Sequence, residues 1–273
     1  MKDYHDWNSI RAVTPTLCYL LGISPPALST SLPLADVLRI SRTVFNDEKV
    51  EKCLVFAPDA LGNHLYSRSP ALFKEVARLA PIEVSLQSVM PSKTPVCFAS
   101  MFTGAMPDQH GIRKYEKPVL QCDTLFDALN RAGKRVAIVV VRNCSIDLIF
   151  RGRDIDYYSE SYDPNVTERV ISLLEADRYD FILAYHQEYD DVMHATAPFA
   201  EEAIQAAKNN IAGFVQMTKA FDEHWSRYNR MIAFTPDHGA HMNSAIGKGD
   251  HGEDIPEDME IKHFYGFRRS KGS

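Results

Sequence analysis

Short runs of continuous apolar residues recur along the chain, separated by stretches whose apolar residues fall at helical spacing. Residues 53–57 (CLVFA), 136–141 (VAIVVV), 181–185 (FILAY) and 231–235 (MIAFT) carry no polar alternation. Runs of this length without a polar face predict strands buried on both sides, as in a parallel sheet. Residues 84–89 predict a further strand. Helices are predicted at 70–79, where a proline in first position costs no hydrogen bond, and at 124–132, closed by Gly133. Two more are predicted at 165–176 and over the long span 200–225. Residues 24–36 (SPPALSTSLPLAD) are rich in Pro and Ser and predict a loop. Strand–helix alternation of this kind predicts an α/β fold, a mostly parallel central sheet with helices on both faces, in one domain spanning residues 1–273. Ligands of such sheets sit beyond the carboxyl ends of the strands.

Acidic and imidazole side chains cluster at those ends. Asp59 follows the first apolar run, Asp190 and His194 follow FILAY, and Asp237 and His238 follow MIAFT. One Asp after one strand means little, because Asp is a common turn and cap residue. Three such deliveries with paired His point to a metal site, for which Asp and His suit Zn²⁺ first and Mn²⁺ second. Asp190 and His194, four apart, share a face if they lie on a helix. His251, in the Gly-rich stretch GKGDHGED, is a third candidate imidazole. Thr94 stands just before a helical stretch at 95–101. As an isolated residue it reads as an N-cap. Beside metal it reads as a nucleophile, since a helix N-terminus favours an anion and a cation can ionise the hydroxyl.

Composition narrows the partners. The formal net charge of -6 at pH 7 argues against nucleic acid, so an anionic substrate would need local positive charge, which bound metal supplies. The five cysteines are widely spaced with no Cys-x-x-Cys pair, and are expected to be buried reduced thiols. The N-terminus lacks a signal-peptide pattern and the apolar stretch at 17–23 is too short to span a membrane, so no membrane partner and a cytoplasmic location are expected. Nothing in the sequence sets an oligomeric state.

Taken in order, these motifs resemble the alkaline phosphatase superfamily, close to its type I phosphodiesterase/nucleotide pyrophosphatase and phosphonoacetate hydrolase branches. The elements are Asp59, then Pro91–Thr94 with residues 103–112 (TGAMPDQHGI), Asp190 and His194 with Pro198, Asp237–Gly239, and His251–Gly252. The resemblance covers roughly residues 50–265. It implies an alkaline phosphatase-like fold with two divalent ions. One would be held by Asp190, His194 and His251, the other by Asp59, Asp237, His238 and the Thr94 oxygen. His110, within the matched motif, is expected to shape the turn after the nucleophile helix.

The pattern departs from the family at two places. Phosphodiesterase-like relatives carry an Asn shortly after His-Gly-Ile whose amide contacts a phosphoryl oxygen, and Tyr115 stands there in this chain. Lys114, Arg113, Asn143 and Arg151 are the further candidates for substrate contact. Residues 14–34 resemble the segment that usually follows the last metal His, yet here they precede the first metal Asp. Either the segment within residues 1–45 is permuted or the similarity is chance.

The resulting expectation is a metal-dependent hydrolase of small anionic phosphate esters acting through a covalent phospho-Thr94, with monoesters preferred over diesters. Alternatives within enzymes are a phosphodiesterase/nucleotide pyrophosphatase and a phosphonate hydrolase. A sulfatase would need Cys or Ser at position 94. The alternative of another class, a non-catalytic metal- or phospholigand-binding module, is disfavoured by the complete ligand set and the intact Thr94.

Overall fold

The computed structural model describes residues 8–271. Its strands, in chain order, are β1 (Asn8–Ser9), β2 (Lys52–Pro58), β3 (Ile82–Gln87), β4 (Val136–Val141), β5 (Asp156–Glu160), β6 (Phe181–His186), β7 (Arg230–Phe234), β8 (His241–Asn243), β9 (Lys248–Asp250) and β10 (Glu260–Arg268). Eight of them form one sheet in the order β1-β3-β10-β7-β2-β6-β4-β5, and β8 pairs with β9 in a small hairpin. The four runs without a polar face are β2, β4, β6 and β7, which lie side by side with every residue buried. Their mutual pairings are parallel. A parallel pair needs a crossover, and the helices Asp163–Ala176 and Glu201–His224 supply two of them.

This strand order positions the chemistry. β7, β2 and β6 are neighbours and parallel, so the segments leaving them emerge together at one end of the sheet. β2 leads directly into Asp59, β6 into the helix Glu188–Ala195, and β7 into the irregular segment 235–240. β3 leads through residues 88–93 into the helix Thr94–Thr103. β10 runs antiparallel to both of its neighbours, so its first residues lie at that same end.

Neither β10 nor β5 was expected. In β10 the residues Lys262 and His263 interrupt the apolar run, and β5 (DYYSE) is a partly exposed edge strand with little apolar pattern. The expected helix at 70–79 is two pieces, a 3₁₀ turn Pro70–Phe73 followed by the helix Lys74–Leu79. Thr124 caps the helix Leu125–Arg131 reciprocally with Asp127, one turn on. All five cysteines are unpaired thiols, four of them buried. Among the described residues, no helix is long and apolar enough to cross a membrane.

The N-terminal segment is built into the sheet's surface. β1 pairs in parallel with β3 at the sheet edge. The Thr14 hydroxyl of the helix Val13–Leu21 donates to the Met101 carbonyl at 2.6 Å, docking this segment on the helix that begins at Thr94. The following helix, Ala35–Phe45, packs on β10 through Phe45, whose ring meets Phe267 edge-on at 5.4 Å.

Phe56 sits at the middle of this core. It is fully buried on β2, and its ring contacts Phe214, Phe234 and the imidazole of His186. Phe56→Ala removes a packed ring next to the β2–Asp59 junction and is expected to destabilise the fold by about 3–5 kcal/mol. Chemical denaturation should show a lower midpoint with an unchanged slope.

Candidate active site

Asp59, Asp237 and His238 form one compact group of possible metal donors, and Asp190, His194 and His251 form a second. In the first, His238 Nε2 lies 3.3 Å from Asp59 Oδ1 and 3.4 Å from Asp237 Oδ2. The Thr94 hydroxyl joins this group, 3.3 Å from Asp59 Oδ2 and 3.4 Å from His238 Nε2. In the second, Asp190 Oδ1 lies 3.5 Å from His194 Nε2 and 3.6 Å from His251 Nε2. The rings of His238 and His251 stack across the two groups with centroids 3.9 Å apart. The structure thus brings together all seven residues expected as nucleophile and metal ligands.

The hydrogen bonds behind these side chains orient their donor atoms. Nδ1 of His238 faces the Gly239 carbonyl, that of His194 the Gly249 carbonyl, and that of His251 the Ser92 carbonyl. A carbonyl can only accept, so each Nδ1 carries the proton and each Nε2 presents its lone pair to the acidic cluster. Three buried carboxylate oxygens, Asp59 Oδ1, Asp237 Oδ2 and Asp190 Oδ1, have no hydrogen-bond partner. When ionised, these carboxylate oxygens and the imidazole lone pairs facing them have no proton between them, and divalent cations satisfy both. The residues therefore fit two such ions by donor chemistry.

Electrostatics show that the ionised cluster needs added positive charge. Burial lifts the carboxyls of Asp59, Asp190 and Asp237 well above the ordinary carboxylate range, and each is raised further by another of the three. Burial pushes His238 down to about 3 and His251 well below the ordinary imidazole value, so both rings stay neutral, the state a ligand needs.

Local backbone packing makes the arrangement possible. A side chain at Gly239 would place its Cβ 2.0 Å from the Glu257 carbonyl oxygen, so only glycine permits the close approach after His238. The buried Asp258 carboxylate accepts from the Gly252 and Glu253 amides at 2.8 and 2.9 Å, fixing the turn after His251, and meets His241 Nδ1 at 2.8 Å. His263 on β10 donates through Nε2 to the Pro236 carbonyl at 2.7 Å, holding the segment that carries Asp237. His110 accepts from the Ile112 amide and reaches Ser100 Oγ at 2.9 Å, which shapes the turn after the helix Thr94–Thr103. None of Asp258, Tyr185 and Asp163 was singled out in the sequence. The Tyr185 hydroxyl donates to Asp59 Oδ2 from the end of β6, where it read only as the last apolar residue of a strand.

A cavity of 230 Å³ opens beside Thr94, Asp59 and Asp190. Tyr115 and Asn143, two of the candidates for substrate contact, line it together with Lys117, Arg142, Gln187 and Asp191. The other expected contacts lie elsewhere. Arg113 pairs with Asp108 at 2.9 Å and Lys114 with Glu116 at 3.7 Å, both exposed. Arg151 folds back onto Asp147 and Ser159. Asp147 in turn accepts from the Asn143 amide at 2.8 Å and holds that residue in left-handed backbone, with φ of 64°. Arg151 therefore braces the loop that lines the cavity. The two cations at the cavity, Lys117 and Arg142, bond only backbone carbonyls, of Asn143 and Ser159, and have no carboxylate partner among the described residues.

Several known proteins share this architecture. Murine ectonucleotide pyrophosphatase/phosphodiesterase 5, an inactive variant in complex with AMP, superposes with a TM-score of 0.57 at 16% identity, over 71% of this chain and 58% of that one. The human form of that protein gives 0.54 at 18% identity, over 71% and 58%. Phosphonoacetate hydrolase from Sinorhizobium meliloti, in complex with phosphonoformate, gives 0.54 at 20% identity, over 74% and 60%. The chain thus spans about three fifths of the length of these structures, and at such identity the likeness shows the fold, which is alkaline phosphatase-like. No curated protein matches the chain by sequence. The sequence profile of Type I phosphodiesterase / nucleotide pyrophosphatase matches residues 54–266, a span that holds every member of both donor groups. The chain belongs to that family of metal-dependent phosphoester hydrolases, within the alkaline phosphatase superfamily.

Proposed function

We propose that this chain hydrolyses phosphate esters through a covalent phosphothreonine at Thr94, with two divalent cations, Zn²⁺ first and Mn²⁺ second. One observation carries the reading. Three buried carboxylate oxygens without partners and three oriented imidazole nitrogens lie in two donor groups, and the hydroxyl at the start of the helix Thr94–Thr103 joins the group of Asp59, Asp237 and His238. Asp59, Asp237, His238 and the Thr94 oxygen would hold one cation, and Asp190, His194 and His251 the other. When bound, such cations polarise phosphoryl oxygens and lower the pKa of a hydroxyl or water they touch.

The chain's own residues account for the rest. Thr94 Oγ1 attacks phosphorus and releases its proton, for which Asp59 Oδ2 at 3.3 Å is the adjacent acceptor. The phosphorus–oxygen bond to the leaving alcohol breaks, and that alcohol takes up a proton. Water then attacks the phosphothreonine from the opposite side, the bond to Oγ1 breaks, and phosphate leaves with the threonine restored. Tyr185 keeps Asp59 oriented through its hydrogen bond to Oδ2.

Monoesters are the preferred class in this reading. Lys117 and Arg142 line the cavity without an ion-pair partner among the described residues, and a monoester dianion carries more negative charge than a diester monoanion. A phosphodiester or pyrophosphate substrate is the second reading. It is favoured by the family's membership and by the largely exposed Tyr115 ring at the cavity mouth, a surface for a second ester substituent.

Thr94→Ala is expected to lower kcat by about a thousandfold or more while leaving the fold intact, and Thr94→Ser to retain partial activity. Steady-state rates on nitrophenyl phosphates with either metal check this. Alanine turning over at the wild-type rate contradicts the covalent route. The ratio of kcat/KM for a nitrophenyl monoester to that for the matching diester should exceed one. Arg142→Ala should lower the monoester value more than the diester value, by about tenfold if one charge-assisted contact of roughly 1.4 kcal/mol is lost. A ratio well below one makes the chain a diesterase.

A further inference from the structure

The helix Glu188–Ala195 carries Asp190 and His194, two of the three residues of the second donor group, yet it is only two turns long. So short a helix has little intrinsic stability and must be held by its surroundings. Its N-terminal residue Gln187 offers no side-chain cap. The cap comes from elsewhere in the sequence. Asp163, first residue of the helix Asp163–Ala176, sends its carboxylate under the start of this helix. Oδ1 accepts from the Gln187 amide at 3.0 Å and Oδ2 from the Glu188 amide at 2.9 Å.

Asp163 is itself buried and fixed. Asn210, from the helix Glu201–His224, donates to Oδ2 at 2.8 Å and also reaches His186 Nδ1 at 3.3 Å. His186 Nε2 faces the Thr167 hydroxyl at 3.1 Å. Two crossover helices and the end of β6 thus converge on one carboxylate whose two oxygens each accept from an amide that starts the Asp190 helix. Asp59 is anchored differently, by its own amide on the His186 carbonyl at 2.9 Å and by the β2–β6 ladder.

Resting on the reading of the two donor groups as metal sites, we infer that Asp163 is a positioning residue for one of them. It sets the placement of Asp190 and His194, and with it the affinity of the site completed by His251, while the site of Asp59, Asp237, His238 and Thr94 is independent of it. The carboxylate does so as a bidentate cap in the helix dipole, which neutral or shorter side chains reproduce only in part.

The experiment is a calorimetric titration of Zn²⁺ into metal-free full chain. Wild type is expected to bind two equivalents. Asp163→Ala should weaken one equivalent about 10–100-fold and leave the other unchanged. His194→Ala identifies which one, and the double variant Asp163→Ala/His194→Ala should lose no affinity at the remaining site. Asp163→Asn, which keeps an acceptor oxygen, should show a smaller loss at the same equivalent. Both equivalents weakened alike, or both unchanged, overturns the inference, because a general loss of stability does not choose between sites. Should the alanine variant fail to fold, Asp163→Asn carries the test: selective weakening supports the inference and wild-type affinity at both sites overturns it. A wild-type chain that binds no zinc removes the metal reading itself, a result separable from any behaviour of the variants.

Discussion

Asp59, Asp190 and Asp237 are drawn from three neighbouring parallel strands into one small volume, where each carboxylate loses hydration and repels the others. Desolvating a charged carboxylate costs several kcal/mol even after relaxation. No Lys or Arg side chain ion-pairs with any of the three among the described residues, and burial holds the imidazoles of His238 and His251 neutral. The arrangement makes chemical sense with positive charge added. Everything else about the site follows from holding that cluster in place: the backbone carbonyls behind each imidazole, Asp258 under the turn after His251, His263 on the Pro236 carbonyl, and Tyr185 on Asp59.

The sheet is what brings those acids together. Had β2, β6 and β7 not been adjacent and parallel, Asp59, Asp190 and Asp237 would leave at different ends or edges. The antiparallel β10 separates β7 from β3, and so sets how far the Thr94 helix stands from the acids. The Thr94 hydroxyl comes within hydrogen-bonding reach of Asp59 although both β10 and β7 stand between β3 and β2.

Much of this was legible in the residues themselves. The strands β2, β4, β6 and β7 are continuous apolar runs because both faces are covered, and such runs stand out in any window. Asp59, Asp190, His194, Asp237 and His238 could be picked out because each follows such a run. β10 escaped because Lys262 and His263 break its pattern, and His263 is there to bond the Pro236 carbonyl. The cavity was legible only in part. Arg113, Lys114 and Arg151 looked available as charges, but nearby carboxylates or a brace to Asp147 take them up. Lys117 and Arg142 face the cavity through loop geometry that no spacing rule encodes. Asp163 was hidden for a similar reason, since its partners Gln187, Glu188 and Asn210 lie 24 to 47 positions away.

On the proposed reading, the two donor groups hold a pair of divalent ions beside the Thr94 hydroxyl. Crystals of the full chain grown with Zn²⁺ allow this to be checked by anomalous diffraction at the zinc edge. Two anomalous peaks are expected, one among Asp59, Asp237, His238 and Thr94 Oγ1 and the other among Asp190, His194 and His251. A map with no peak at either group, or with zinc bound only elsewhere on the molecule, would contradict it.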